Sequence, residues 1–155
     1  MKDIDDFNAM YFPPGGGISW PGESAARVEL ARSLMGLGFV EAHDSWISRA
    51  RDILDPKGSP FPRAFSHESS VRAALAGLSE SQRSAAEELI RIAVHGALFS
   101  ALVSLDQFPR ADLSISVSDE EAGIGPLLVA PGEEELHDSF LEWLEKYSSE
   151  RQRGP

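Results

Sequence analysis

Four histidines, His43, His67, His95 and His137, are the residues of this chain best suited to acid–base or metal chemistry. No two of them stand at the His-x-x-x-His spacing that puts two ligands on one helical face. His43, His67 and His137 are each followed by an acid, Asp44, Glu68 and Asp138. Neighbours on a helix point about 100° apart, so adjacency predicts neither a ligand pair nor a catalytic dyad. The chain has no cysteine. That removes thiol nucleophiles, iron–sulfur clusters, disulfides and Cys-bound zinc. No metal and no cofactor are expected.

Glycine and serine motifs fail on context. Gly15-Gly16-Gly17 would cradle a phosphate only between a strand and a helix N-terminus, and a P-loop needs a Gly-Lys-Ser/Thr ending. Neither is present. Gly17-Ile18-Ser19-Trp20-Pro21 approaches the Gly-x-Ser-x-Gly nucleophile elbow, but Pro21 takes the place of the last glycine and no strand precedes it. Asp119-Glu120-Glu121-Ala122-Gly123 lacks the alternating ligands of a calcium loop.

A polar stripe marks the longest predicted helix. Ser84, Glu88, Arg91, His95 and Asp106 fall within about 60° of one another on a helical projection. As a pocket wall facing the N-terminal arm, this stripe would use Trp20, Glu88, Arg91 and His95, with His95 as base. His95 and Asp106 would lie about 16 Å apart along the axis, too far to pair directly. The competing reading is an edge where a buried helix meets polar neighbours.

Charge placement is the stronger functional signal. Ala111 to Glu150 holds eleven acidic residues and one basic residue, Lys146, whereas Met1 to Arg110 holds fourteen against eleven. The last third is therefore an anionic field with few local cations to relieve it. Glu120, Glu121, Glu134, Glu135, Asp138 and Glu142 are the expected contacts for a basic protein partner. Arg49 and Arg51, the nearest approach to a basic cluster, are offset by Asp52 and Asp55. Nucleic acid is not an expected partner, because phosphate binding needs a basic footprint.

Two function classes follow. The first is a small non-enzymatic interaction protein with an acidic docking surface, in its most concrete form an immunity protein masking a basic toxin. The second is a small enzyme or ligand-binding domain using the pocket above. Oligomeric state is not legible.

At 155 residues and 42% apolar content, the chain is long enough to bury a core within one domain. The acidic start Met1-Lys2-Asp3-Ile4-Asp5-Asp6 is unlike a signal peptide. The apolar run Ile92 to Leu105 is interrupted and short for a bilayer. A soluble, cytoplasmic protein without membrane contact is expected.

The elements that must carry these residues read as follows. Residues 1–22 form an irregular arm rich in Pro and Gly but also in large apolar groups. A helix runs from Ser24 to Leu37, ended by Gly36 or Gly38, and a second from Val40 to Leu54 with His43, Trp46 and Ile47 on its inner stripe. A short helix capped by Ser69 or Ser70 extends to Leu78. Ser79-Glu80-Ser81-Gln82 has capping-box spacing and opens a helix to Leu105, apolar on nearly every face from Leu89. That helix is expected at the centre of the core, with Leu89, Ile92, Val94, Leu98 and Leu102 buried. Leu113 to Ser118 and Leu127 to Ala130 read as an antiparallel hairpin. Gly132 to Tyr147 is a last helix with Leu136, Phe140, Trp143, Leu144 and Tyr147 inward. The expected class is α+β, mostly helical: about five helices around a central buried one, with a two-stranded hairpin before the C-terminal helix. Residues 1–147 form a single domain and 148–155 a flexible tail.

Overall fold

The computed structural model describes residues 8–12, 14, 16–55, 57–58, 67–107, 115–130 and 135–150. Its elements are α1 (Ser24–Leu54), α2 (Glu68–Leu75), α3 (Glu80–Asp106), β1 (Ile115–Asp119), β2 (Ile124–Ala130) and α4 (Leu136–Tyr147), with a helical turn over residues 8–11. The class is α+β, mostly helical, with an antiparallel hairpin before the last helix. Contacts divide the chain into two compact units: residues 1–41 with 99–155, and residues 42–98.

In the first unit the core is built on α4. Leu136, Phe140 and Leu144 are almost fully buried, with Trp143 and Tyr147 beside them on the same stripe. Those positions recur at three- and four-residue steps, so one face of α4 is apolar and the other carries charge. Leu30, Ala31, Val40, Leu102 and Val129 complete this core. Arg32 reaches across to donate to Ser139 Oγ at 2.6 Å. Just past the helix, Ser148 and Glu150 are buried, and the Ser148 amide bonds Leu144 O at 3.1 Å. Residues 151–155 of the expected tail lie outside the described residues.

The two helices expected from Ser24 to Leu37 and from Val40 to Leu54 are one continuous helix. Neither Gly36 nor Gly38 adopts the left-handed conformation of a helix stop. Gly36 serves a different purpose. A Cβ built there would lie 2.2 Å from the Trp143 ring, so only glycine lets the indole sit against α1. Phe39 stacks on the same indole, centroids 6.5 Å apart.

The hairpin pairs Ile115 with Ala130, Ser116 with Leu128, Val117 with Leu127 and Asp119 with Ile124. Gly123 closes the turn at φ +67°, and its amide bonds Glu120 O at 3.1 Å. Leu113 and Ser114, expected in the first strand, and Gly132 to Glu134, expected in the last helix, lie outside the described residues.

In the second unit, Ile47, Ala50 and Leu54 of α1 are buried with His43. Trp46, expected on that inner stripe, is 51% exposed. It stands one residue before the fully buried Ile47, about 100° round the helix, and so leaves the packed face. Helix α2 starts at Glu68 rather than at a serine cap, and its N-cap residue His67 makes no side-chain cap. The capping box at Ser79 forms: the Ser79 amide donates to Gln82 Oε1 at 2.8 Å and the Gln82 amide to Ser79 Oγ at 3.3 Å.

The expectation that α3 is buried along its length is corrected. Leu102 is fully buried, Val94 and Leu98 are half-buried, and Leu89 and Ile92 are 67% and 61% exposed. An all-round apolar helix must be covered on every side to be buried, and around Leu89 and Ile92 the described chain supplies no such cover. Among the described residues α3 is the one helix long and apolar enough to cross a membrane by length and composition.

Candidate acidic docking face

The outer stripe of α4 follows from its inner one. With Leu136, Phe140, Trp143, Leu144 and Tyr147 buried, Asp138, Glu142 and Glu145 fall on the opposite side at steps of four and three. All three are exposed, as is Glu135 just before the helix. Leu141, 38% exposed, borders them on one side. At the hairpin turn Glu120 and Glu121 are exposed as well. Glu120, Glu121 and Glu142 make no ion pair among the described residues. Glu134 lies outside those residues.

Glu135 and Asp138 converge on His137. Its Nε2 stands 3.3 Å from Glu135 Oε2 and 3.7 Å from Asp138 Oδ1. Its Nδ1 is 2.8 Å from Asp106 Oδ2, and Phe99 meets the ring edge-on at 5.4 Å. Asp106, the last residue of α3, also accepts from two amides, Leu136 N at 2.9 Å on Oδ1 and His137 N at 3.0 Å on Oδ2. The first turn of α4 has orphan N–H donors and no side-chain cap of its own from Glu135. Asp106 therefore serves as its cap from thirty residues upstream in sequence. Burial works against the Asp106 carboxylate, but the two amides and the imidazole outweigh it and hold its pKa below the ordinary 3.8. The His137 pKa is raised above 6.5, chiefly by the bond to Asp106 and further by the nearby Asp138 and Glu135 charges, against partial desolvation.

At the hairpin, Asp119 accepts from Trp20 Nε1 at 2.8 Å and from the Ala122 amide at 3.1 Å. These bonds, the indole foremost, lower its pKa. Trp20 thus anchors the end of the arm to the acidic turn.

The other pocket residues belong to the 42–98 unit. Arg91 pairs with Glu88 at 3.3 Å and with Glu87 at 3.4 Å, and His95 meets His43 edge-on at 6.0 Å. A cleft of about 270 Å³ in that unit is lined by Ile53, Leu54, Asp55, Gly58, Arg72, Ala73, Leu75 and Ala76, and by none of Glu88, Arg91 or His95.

Sequence spacing missed Asp106 and His137. They are 31 residues apart, and no local pattern signals a cap supplied from another helix. The one local cue was an acid placed where a helix ends. No family model, no curated protein and no solved structure matches this chain.

Proposed function

We propose that this chain is a small interaction protein that docks a basic protein partner on the face carrying Glu135, Asp138 and Glu142, with Glu120 and Glu121 at the hairpin turn. The observation that carries the reading is the set of exposed carboxylates, Glu120, Glu121 and Glu142, with no ion pair among the described residues. Uncompensated like charge costs self-repulsion, which a docked cationic surface relieves. Leu141 supplies an apolar contact at the edge of the same stripe. An inhibitor of a basic toxin, made in the same cytoplasm, is the concrete form of this role.

The field acts over a Debye length of about 8 Å at physiological salt. It favours cationic partners in the encounter and repels nucleic acid. Each exposed pair adds little affinity, about 1 kcal/mol or less, so the joint effect falls on association rate. The test uses wild-type chain and the triple variant Glu135→Lys, Asp138→Lys, Glu142→Lys as baits. Proteins retained by the first and lost by the second are purified, and their kinetics are measured at two ionic strengths. The expected result is a slower, less salt-sensitive on-rate for the variant. Equal on-rates at both salts would reduce the face to a solubility device.

A further inference from the structure

We propose that Glu135, His137 and Asp138 form a binding site for a divalent transition cation of the zinc class. One ligand atom from each residue lies within 4.8 Å of those of the other two, and His137 Nε2 faces Glu135 Oε2 and Asp138 Oδ1. The two distances from Nε2, 3.3 and 3.7 Å, are long for charge-assisted hydrogen bonds, which close to about 2.7–2.9 Å. The shorter falls within the donor spacing of a coordination shell and the longer just beyond it. With zinc–ligand bonds of about 2.0–2.2 Å in tetrahedral geometry, neighbouring donors stand about 3.3–3.6 Å apart.

An observation outside the trio supports this assignment. Asp106, on a different helix and with its side chain 8% exposed, holds His137 Nδ1 at 2.8 Å. Two backbone amides fix that carboxylate in turn. A carboxylate on Nδ1 keeps the proton there and leaves the Nε2 lone pair for a metal, which is the carboxylate–histidine–metal arrangement. Phe99 against the ring edge limits the imidazole's rotation.

Backbone geometry explains how neighbours in sequence converge here. Glu135 is the N-cap residue, with extended φ −69° and ψ 144°, so its side chain leaves the helical progression and can meet those of residues 137 and 138. Glu135 and Asp138 are 59% and 73% exposed, which leaves an outward position for water or a partner's ligand. One imidazole with two carboxylates suits zinc and its neighbours, whereas magnesium and calcium prefer oxygen-only sets. Asp106 is a positioning residue, touching the histidine and not the cation.

The test titrates the full chain with zinc chloride, and separately with magnesium chloride, by calorimetry after chelator treatment. Nitrogen and carbon shifts of the His137 ring are followed in parallel. The proposal expects one equivalent of zinc bound through Nε2 and no comparable magnesium binding. Glu135→Gln with Asp138→Asn should weaken zinc binding at least about tenfold, and Asp106→Asn by roughly ten- to hundredfold with loss of the fixed Nδ1–H tautomer. The exposed pair of substitutions leaves the core untouched, so failure to fold does not confuse the result. Absence of a saturable site, or zinc binding unchanged in the double variant, overturns the proposal.

Discussion

Residues 42–98 carry seven acidic and seven basic side chains, and the rest of the chain carries eighteen acids against seven bases. The balanced unit spends its charge internally. Glu68, 7% exposed, is gripped by Arg49 and by Arg72, the latter at 3.0 Å. Glu87 takes Arg51 at 2.6 Å and Arg91 at 3.4 Å. Arg72 also donates to Asp52 O at 2.8 Å and Gly58 O at 3.3 Å. In the acidic unit the polar bonds are of another kind. Asp106 and Asp119 bind amides, an imidazole and an indole, while Glu120, Glu121 and Glu142 are exposed and make no ion pair among the described residues. Carboxylates in the first region hold elements together. Those in the second either cap and anchor, or are exposed with no ion pair among the described residues. Both units leave large apolar side chains exposed, Met10, Phe12, Leu128 and Leu141 in the acidic one and Trp46, Val71, Leu89 and Ile92 in the balanced one, but the acidic unit holds the fully buried stripe of α4.

The largest expected effect separates the two regions by packing. Phe140→Ala should cost about 3–5 kcal/mol in chemical denaturation, while Leu89→Ala and Ile92→Ala should each stay within about 0.5 kcal/mol. Comparable losses at all three positions would mean that the exposed face of α3 is buried in solution.

Two glycines in helices sharpen the contrast. Gly36→Ala forces a methyl into the Trp143 ring and should destabilise by about 1–3 kcal/mol. Gly96→Ala meets nothing within 4 Å and should stabilise by up to about 1 kcal/mol. Thermal melts of both variants would read the opposite signs; the same sign for both would contradict the close approach of α1 and α4.

Asp106→Ala removes the remote cap of α4 and should cost about 1–2 kcal/mol. Its pH dependence has a defined direction. The folded pKa of Asp106 is lowered, so its contribution is complete above about 3.8, the unfolded value, and is lost as pH falls through the lower folded value. The folded pKa of His137 is raised, so its contribution is complete below about 6.5 and is lost as pH rises through the higher folded value. Melting temperature against pH, in chelator, should therefore fall at both ends, and Asp106→Asn should flatten both limbs. A wild-type profile that rises from pH 6.5 to 8 would break this account.

The smallest effect concerns the ion pairs of the balanced unit. Arg51→Gln, on a pair with side chains 35% and 25% exposed, should change stability by no more than about 1 kcal/mol, less at high salt. A loss above 2 kcal/mol would give these pairs a structural weight that the comparison does not assign them.

Much was legible in local sequence because its causes are local. The capping box at Ser79, the alternation of Ile115 to Asp119 and the stripe of α4 each depend on residues within a few positions of one another. Net charge and its placement needed only counting. Three features depended on residues that meet only after folding. Gly36 reads as a helix stop until Trp143 arrives against it. Asp106 reads as one member of a polar stripe until the amides of Leu136 and His137 turn toward it. The apolar length of α3 states what that helix would gain from being covered, not whether anything covers it. Periodicity fixes which face of an element is apolar. Only the tertiary structure decides what lies against that face, because partners distant in sequence are brought together by packing that no local pattern encodes.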